Sequence, residues 1–309
     1  MDNHVLVVGG TLLDIKGKPT RGLEPGTSNP GIIRASRGGT ARNVAENLSL
    51  LGADVVLISA VGDDDTGQKL LRQTAGAGVD ISHLQIVPGL STGTYIALLE
   101  QDGSLSVALD DVRAMESITS QYLDHRRTLF RDADIVMIDG SLQPDAMRTA
   151  IRLASQYGKP ICADPSSARL AHRLLPYLPQ LFLVVPNQME AANLCGLDYP
   201  EHDADASQEM ARQLVQMGVE IAVVTMTNFG LSYATSDEQG YIPPHYSEMV
   251  DSTGTGDALT SAIIFGLINE VPITECMRLG AAAAGLTLQT NETVVPDLSL
   301  DMLFDHLTV

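Results

Sequence analysis

The seven residues from Asp251 to Asp257 have types and a spacing that could do chemistry on a phosphate. They read Asp-Ser-Thr-Gly-Thr-Gly-Asp, and the apolar run Ala258–Phe265 that follows at once predicts a buried helix. A Gly-rich turn that opens a helix can point backbone N–H groups at an anion, and the helix dipole adds partial positive charge there. The Asp257 carboxylate would repel that anion, unless its task is to remove a proton from a hydroxyl beside the phosphate. We therefore predict phosphoryl transfer to an alcohol.

Asp257 is the predicted catalytic base, and the three residues before it form the predicted anion hole. Phosphoryl transfer depends mainly on positioning and charge stabilisation, and a base near the attacking hydroxyl adds about 10² to 10⁴ in rate. Gly254, Thr255 and Gly256 would let the backbone come close to the transferring phosphoryl group. The alternatives are an Asp that merely caps a helix and an ordinary tight turn.

Asn187 and Glu190 are a second pair whose spacing could do chemistry. They are three apart at the predicted start of a helix, so their side chains share a face. An amide and a carboxylate there would suit a hydrated Mg²⁺ ion, held through waters near the phosphates of a nucleotide. A capped, solvated helix start is the alternative, and the spacing alone favours it.

Two glycines and an amide form a third candidate group, for binding a sugar. Gly38 and Gly39 precede a predicted helix that carries Asn43. Glycines let the backbone lie against a sugar, and an Asn side chain can both donate to and accept from neighbouring hydroxyls. Arg42, beside Asn43, is expected to be a surface or structural charge rather than a ligand.

Three motifs along the chain resemble those of the ribokinase-like (PfkB) family of carbohydrate and nucleoside kinases. The stretch from Gly38 to Ala45 resembles the family's Gly-Gly…Asn-Xaa-Ala motif, and Pro186–Glu190 resembles its Asn-Xaa-Xaa-Glu motif. The run Asp251–Asp257 resembles the family signature Asp-Thr-Xaa-Gly-Ala-Gly-Asp, although Thr255 stands where Ala is usual. The added hydroxyl carries no charge, so we expect activity to survive it. The resemblance extends over nearly the whole chain.

The family resemblance implies ATP and Mg²⁺, and it favours the functional interpretation of Asn187 at the nucleotide and of Glu190 at the metal. It also implies roles for further residues. Asp14 follows the first strand, where the family places an Asp that accepts from two sugar hydroxyls. Thr225 and Gly230 bound a strand-end turn that resembles the family's nucleotide-binding turn, in which Thr227 stands where Gly is usual. Asp251 and Thr253, with carbonyls of the loop 291–295, could bind K⁺, and a purely structural loop is the alternative.

The elements that must position these residues alternate between strands and helices. Short apolar runs predict buried strands at Val5–Val8, Val55–Ala60, Ile135–Ile138, Ile161–Ala163, Phe182–Val185 and Ile221–Thr225. Helical spacing lies between them, at Ala41–Leu51, Asp145–Tyr157, Ser207–Met217 and Ile273–Gln289. Alternation of this kind predicts an α/β fold with a mostly parallel, doubly wound sheet, and the resemblance implies a ribokinase-like three-layer αβα sandwich.

Two segments break the alternation and predict a small β-sheet that projects from the main one. Residues 11–37 contain turn signals, including Lys16-Gly17-Lys18-Pro19, and residues 92–111 predict a hairpin with its turn at Gln101-Asp102-Gly103. In the family such a sheet is a lid over the sugar and often a dimer contact. We therefore expect one kinase domain over residues 1–309, with a two-segment lid that forms a homodimer.

Composition excludes several other classes of protein. A formal net charge of −19 over 309 residues would repel nucleic acid and anionic lipid. No apolar run reaches the roughly 18 residues of a membrane span, and the N-terminus does not resemble a secretory signal. Three widely spaced cysteines fit reduced thiols. We expect a cytoplasmic protein that binds small molecules and neither nucleic acid nor membrane.

Short stretches narrow the substrate further. Ser28–Gly31, Val107–Asp111, Thr290–Glu292 and Pro296–Ser299 resemble pseudouridine kinases, although Val185 precedes Pro186 where that subfamily would have Lys. The resemblance implies phosphorylation of the primary hydroxyl of a ribose-type sugar or nucleoside, with pseudouridine first. Another sugar kinase, acting on ribose, fructose or 2-keto-3-deoxygluconate, and a non-catalytic binding protein of the same fold remain the alternatives. A dinucleotide-dependent dehydrogenase is disfavoured, because no Gly-Xaa-Gly-Xaa-Xaa-Gly follows the first strand.

Overall fold

Strands and helices alternate along most of the chain in the computed structural model, which describes residues 4–101, 105–199, 203–226, 230–244 and 249–307. The strands are β1 (His4–Val8), β2 (Leu12–Pro19), β3 (Gly31–Gly38), β4 (Asp54–Ile58), β5 (Ala60–Gly62), β6 (Gln85–Val87), β7 (Thr94–Leu99), β8 (Leu105–Asp111), β9 (Ile135–Asp139), β10 (Ile161–Asp164), β11 (Leu183–Val184), β12 (Ile221–Thr225), β13 (Leu231–Ala234) and β14 (Gln239–Ile242). The helices are α1 (Thr40–Leu50), α2 (Asp65–Gly76), α3 (Ser120–Asp124), α4 (Arg127–Asp132), α5 (Pro144–Gln156), α6 (Gln188–Cys195), α7 (Ala204–Gln216), α8 (Thr255–Ile268), α9 (Ile273–Leu288) and α10 (Leu300–Leu307).

Eight strands of the described ranges form one large sheet, in the order β14-β13-β12-β11-β10-β9-β1-β4. Neighbours from β4 to β12 are parallel, and β13 and β14 add an antiparallel edge. The central strands are apolar without alternation, as expected for a sheet that is buried on both faces. Because β1 lies between β4 and β9, the strand order reverses there. Ligands of such sheets bind beyond the carboxyl ends of the strands at that point.

Helices cover both faces of the large sheet and give the predicted three layers. On one face, Val7 and Leu259 of α8 belong to a core that also includes residues of α1 and α9. On the other face, Leu6 packs in a core with Met147 of α5 and Leu214 of α7. Among the residues that the structure describes, no helix is both long and apolar enough to cross a membrane. The α/β fold predicted from the sequence is therefore confirmed.

A second, smaller sheet is built from the two segments that break the alternation. Its order is β3-β2-β7-β8, with β2 and β7 parallel and the outer pairs antiparallel. The hairpin β7–β8 lies where the sequence predicts it, and its turn residues 102–104 lie outside the described residues. The prediction of a turn at Lys16–Pro19 is wrong, because all four residues pair with β3. Gly17 faces Ile33 in that register, and Pro19 closes the strand at its end.

Two predicted strands are shorter than their apolar runs. The run Val55–Ala60 divides, because β4 ends at Ile58 and Ala60 begins β5, which pairs with β6 in a separate two-stranded sheet. The run Phe182–Val185 contributes only the two residues of β11. In both places side chains stay buried after the ladder has ended, so apolar character alone overestimates strand length.

Candidate functional site

Gly254 makes the sharp turn that opens α8. It is the residue before the helix and has φ of 80°, a left-handed conformation that glycine adopts without strain. A Cβ at this position would lie 2.1 Å from the carbonyl oxygen of Thr293, so no other residue fits. Nothing lies within 4 Å of the corresponding position at Gly256, which leaves open space beside the first turn. The N–H groups of that turn have no partners inside the helix, and the Thr255 N–H makes a long, 3.4 Å contact to the Ser252 carbonyl.

Asp257 lies in the first turn of α8 but does not cap it, because the capping position is Gly254. Its Oδ2 atom instead accepts from Asn43 Nδ2 of α1 at 2.6 Å. Burial raises the pKa of Asp257 to about 6, while the Asn43 hydrogen bond and the Arg42 charge act in the opposite direction. The negative charges of Asp14 and Asp139 raise it as well. A carboxylate with this pKa is ionised at neutral pH and basic enough to accept a proton.

The backbone of Gly38 lies directly against the Asp14 carboxylate of β2. A Cβ on Gly38 would lie 2.0 Å from Asp14 Oδ1. Gly39 precedes α1 with φ of 93°, and a Cβ there would lie 2.3 Å from the Gly10 carbonyl oxygen. Burial raises the pKa of Asp14 to about 6, against the lowering effect of the Arg42 and Lys16 charges. The structure therefore brings Asp14, Gly38, Gly39 and Asn43 together on the side of Asp257 that faces the small sheet.

Asp139, at the end of β9, is a buried carboxylate that sequence reasoning missed. It accepts from the backbone N–H of Gly10 at 2.8 Å, of Ala41 at 3.0 Å and of Ser141 at 2.9 Å. Burial raises its pKa, and hydrogen bonds from the Ser141 side chain and from these N–H groups offset only part of that rise. The carboxylate thereby ties the loop after β1 to the start of α1, which carries Asn43. An Asp at the end of the apolar run Ile135–Ile138 was the available signal.

Arg42 is a buried structural charge, which is the second of the two possibilities that the prediction left open. Its side chain is fully buried and pairs with Glu46 at 3.0 Å. It also donates to the Gly38 carbonyl and to Thr293 Oγ1, each at 3.1 Å. The guanidinium thus links the glycines of the sugar side to the residue that packs against Gly254. It also places a positive charge near Asp14 and Asp257, which offsets part of the rise that burial causes in the pKa of both.

Asn187 and Glu190 form a reciprocal capping box at the start of α6. Asn187 Oδ1 accepts from the Glu190 N–H at 3.0 Å, and Glu190 Oε2 accepts from the Asn187 N–H at 2.9 Å. Glu190 is buried, so this is a capped helix start but not the solvated one that the alternative described. Burial raises the pKa of Glu190 to about 7, the Asn187 N–H lowers it, and the Asp257 charge raises it.

Asp164, at the end of β10, is a second missed carboxylate. Burial raises its pKa well above the usual range, and the charges of Glu190 and Asp257 raise it further. Three carboxylates at one edge of the sheet repel one another, and a divalent cation would relieve that repulsion. Within the described part of the chain, no three acidic, His or Cys side chains are close enough to hold an ion directly. Carboxylate oxygens are ligands that suit Mg²⁺, directly or through water.

An open cavity of about 200 Å³ lies beside the first turn of α8. Its polar lining includes Asn187, Thr225, Gly230, Thr255 and Gly256, and its apolar walls come from α8 and α9. All three residues predicted to bind the nucleotide are therefore together. Thr227, where Gly is usual, lies outside the described residues.

Asp251 and Thr253, predicted as a K⁺ site, lie on the loop that leads into Gly254. Asp251 Oδ1 accepts from Thr253 N at 2.9 Å, from Thr253 Oγ1 at 2.7 Å and from Lys16 Nζ of β2 at 2.7 Å. Burial alone would raise the pKa of Asp251, but the hydrogen bonds from Lys16 and Thr253 outweigh it and the pKa is lowered. A lysine from the small sheet thus already supplies a cation here.

Comparison with known proteins shows that this chain belongs to a family of carbohydrate kinases. The model of the pfkB family of carbohydrate kinases matches residues 2–299. Pseudouridine kinase of Escherichia coli strain K12 is 31% identical over 96% of this chain and 94% of its own length. Guanosine-inosine kinase of Exiguobacterium acetylicum is 27% identical over 97% and 99%. An Escherichia coli protein provisionally assigned as a ribokinase II, solved with ATP and Mg²⁺, shares the fold with a TM-score of 0.84, 21% identity and 99% coverage of both chains.

Proposed function

We propose that this chain, which belongs to the pfkB family of carbohydrate kinases, transfers the γ-phosphoryl group of ATP to an alcohol. The acceptor is the primary hydroxyl of a ribose-type sugar or nucleoside, with pseudouridine preferred. One observation carries the proposal. A buried carboxylate, Asp257, lies in the first turn of α8 and is held by an amide of the sugar side, Asn43. A base between a sugar site and a phosphate site is what transfer to an alcohol requires.

Each residue of the site has a role in this reaction. Asp14 accepts from two ribose hydroxyls, and Asn43 and the backbone of Gly38 and Gly39 position the sugar. Asp257 accepts the proton of the primary hydroxyl, and the oxygen attacks the γ-phosphorus in line as the bond to the β-phosphate oxygen breaks. The N–H groups at the start of α8, from Gly254, Thr255 and Gly256, stabilise the charge that develops on the phosphoryl oxygens.

The nucleotide occupies the cavity between α8 and α9. Asn187, Thr225 and Gly230 line its polar side, and the apolar wall faces the adenine ring. Magnesium, held through waters near Glu190, would neutralise phosphate charge. This matters because the chain has a formal net charge of −19, which would otherwise repel ATP. No potassium ion is invoked beside the anion hole, because Lys16 Nζ already donates to Asp251.

Pseudouridine is preferred over other acceptors for two reasons. The E. coli pseudouridine kinase is 31% identical over nearly the whole chain, and short stretches of the small sheet and of the loop after α9 resemble that subfamily. Inosine and guanosine are the second candidates, because a kinase of these nucleosides is 27% identical over a similar length. Both candidate substrates contain a ribose, whose hydroxyls would form hydrogen bonds with Asp14 and Asn43.

The small sheet is proposed to be the lid of a single kinase domain, with its outer face forming a homodimer. Cross-strand register places four exposed apolar side chains on the face opposite Asp14. They are Ile33, 76% exposed, Leu109, 71%, Val107, 59%, and Ile96, 45%. Apolar patches of this kind usually mark an interface, and a second lid of the same chain would cover it symmetrically. A cytoplasmic location agrees with the three free thiols, Cys162, Cys195 and Cys276.

A panel assay tests the substrate. ADP release is measured with Mg-ATP and, in turn, pseudouridine, uridine, inosine, guanosine, ribose, fructose and 2-keto-3-deoxygluconate. The proposal predicts the highest kcat/KM with pseudouridine. Higher kcat/KM with a free sugar would reject the nucleoside but keep the kinase. No ADP release with any acceptor, while a nucleoside still raises the melting temperature of the protein, would favour a non-catalytic binding protein.

A further inference from the structure

Lys16 and Asp251 form an ion pair between two elements that are 235 residues apart in sequence. Lys16 Nζ lies 2.7 Å from Asp251 Oδ1, and the two side chains are only 19% and 22% exposed. We propose that the Lys16 ammonium is a tethered counter-ion of the anion-hole loop, which makes phosphoryl transfer by this chain independent of any monovalent metal ion. The inference rests on the proposed kinase function.

The hydrogen bonds at Asp251 favour an ammonium over a metal ion. Oδ1 accepts from the N–H of Thr253, from its hydroxyl and from Lys16 Nζ, so all its contacts are donors. A potassium ion would need a lone pair of Oδ1, and these three donors already use the lone pairs of that oxygen. A metal ion at Oδ1 would have to displace the ammonium or lie beside a second positive charge. The acceptor oxygen is therefore already saturated.

The loop needs a cation because of its place in the site. Asp251 lies three residues before Gly254, whose turn begins the anion hole. An uncompensated carboxylate there would repel the phosphates of the nucleotide and would lose the contact that fixes the loop. Lys16 compensates that negative charge from within the chain. No ion has to be taken from solution, so the translational entropy of such an ion is not lost.

Lys16 also connects the two halves of the site. It lies two residues after Asp14 on β2, so both side chains are on the same face of the small sheet. Asp14 is the proposed sugar ligand, whereas Asp251 begins the loop of the phosphate site. One strand therefore positions both substrates, and Lys16 acts as a positioning residue rather than as a group that touches the reacting atoms.

The test exchanges the cation of the buffer. Wild-type protein, Lys16→Met, Lys16→Arg and the matched control Lys18→Met are assayed in KCl and in tetramethylammonium chloride at equal ionic strength. Lys18 is exposed on the same face of the same strand, which makes it a fair control for removing a lysine from the small sheet. Turnover and melting temperature are both measured for each protein in each salt.

For wild type, Lys16→Arg and Lys18→Met, the turnover of each protein is expected to be the same in KCl and in tetramethylammonium chloride. Lys16→Met should lose at least about tenfold in turnover in tetramethylammonium chloride, equivalent to about 1.4 kcal/mol in the barrier, and KCl should restore part of it. Its melting temperature should rise in KCl relative to tetramethylammonium chloride, whereas that of Lys18→Met should not.

Two results would overturn the inference. One is a wild-type enzyme that needs KCl for turnover. The other is a Lys16→Met protein whose melting temperature responds to KCl no more than that of Lys18→Met. The melting readout needs no substrate, so it tests the counter-ion role of Lys16 separately from the proposed kinase function.

Discussion

At the scale of single residues, Asp257 should be needed for turnover but not for binding of the nucleotide. Asn is nearly the same size as Asp and keeps an oxygen that accepts from Asn43, but it cannot take a proton. Asp257→Asn should therefore lose about 10² to 10⁴ in kcat. The affinity for ATP, measured by calorimetry, should stay near the wild-type value. More than about a tenth of wild-type kcat in Asp257→Asn would contradict the role of base.

The Thr255 hydroxyl should be dispensable, as the family's usual Ala at this position suggests. Among the residues that the structure describes, it is one of few buried side-chain oxygens without a hydrogen-bond partner. An unpaired buried polar group costs about 1–3 kcal/mol, so Thr255→Ala should stabilise the protein by about 1 kcal/mol and keep its kcat. Urea denaturation and the ADP assay measure the two effects. A clear loss of kcat would mean that the hydroxyl contacts the nucleotide.

The residues that were predictable from the sequence are those with local signals. Asp257, Asn43 and the glycines lie in short motifs that resemble those of the family, so the sequence could select them as candidates. Asp139 and Asp164 were missed because each is a lone Asp after an apolar run, and only the folded sheet brings them to one edge. The Lys16–Asp251 pair could not be predicted, because the two residues are 235 apart in sequence and no local pattern indicates that they meet in the fold.

At the scale of elements, the cap of α6 and the proposed metal role of its first turn can be separated. Glu190→Gln keeps an oxygen that can accept from the Asn187 N–H and removes a charge whose pKa burial raises to about 7, so the protein should lose no stability at neutral pH. The lost charge should raise the Mg²⁺ concentration for half-maximal activity by about tenfold. Asn187→Ala, the matched control, removes the cap and should cost about 1 kcal/mol. An unchanged Mg²⁺ requirement in Glu190→Gln would leave Glu190 with the capping role alone.

The outer face of the small sheet should decide the oligomeric state. A charge buried in an apolar interface is costly, so Leu109→Glu should convert a dimer into a monomer in analytical ultracentrifugation. Ile32→Glu is the control, because Ile32 is also exposed but is on the opposite face of β3 from Ile33. Equal sedimentation of the wild type and Leu109→Glu would argue against this interface.

Strand and helix positions were predictable to within a few residues, because the buried strands are short continuous apolar runs and the helices between them have helical spacing of apolar residues. The errors occur where tertiary contacts override local signals. Lys16–Pro19 has the composition of a turn, yet pairing with β3 and β7 holds Lys16 and Gly17 in a strand. In β4 the apolar run continues past the ladder, because the chain after Ile58 is buried without pairing to β1.

At the scale of the whole molecule, activity and stability should respond to pH in opposite directions. The pKa values of Asp14 and Asp257 rise to about 6, and that of Glu190 to about 7, above their unfolded values. Between the unfolded and folded pKa values the native state binds more protons, so stability falls as pH rises. The melting temperature should therefore increase from pH 8 to about 5.5. Activity should fall below about pH 6 as Asp257 becomes protonated. Parallel profiles of melting temperature and kcat would contradict this assignment.

The central claim is that Asp257 activates a primary hydroxyl for attack on the γ-phosphorus of ATP. The most direct test follows the wild-type protein and Asp257→Asn with Mg-ATP and pseudouridine by ³¹P NMR. The account predicts that the wild type forms a phosphomonoester, coupled to the protons of the 5′ carbon, in a one-to-one ratio with ADP, and that Asp257→Asn forms almost none. Release of inorganic phosphate without a phosphomonoester, or an equal rate of product formation in the variant, would contradict it.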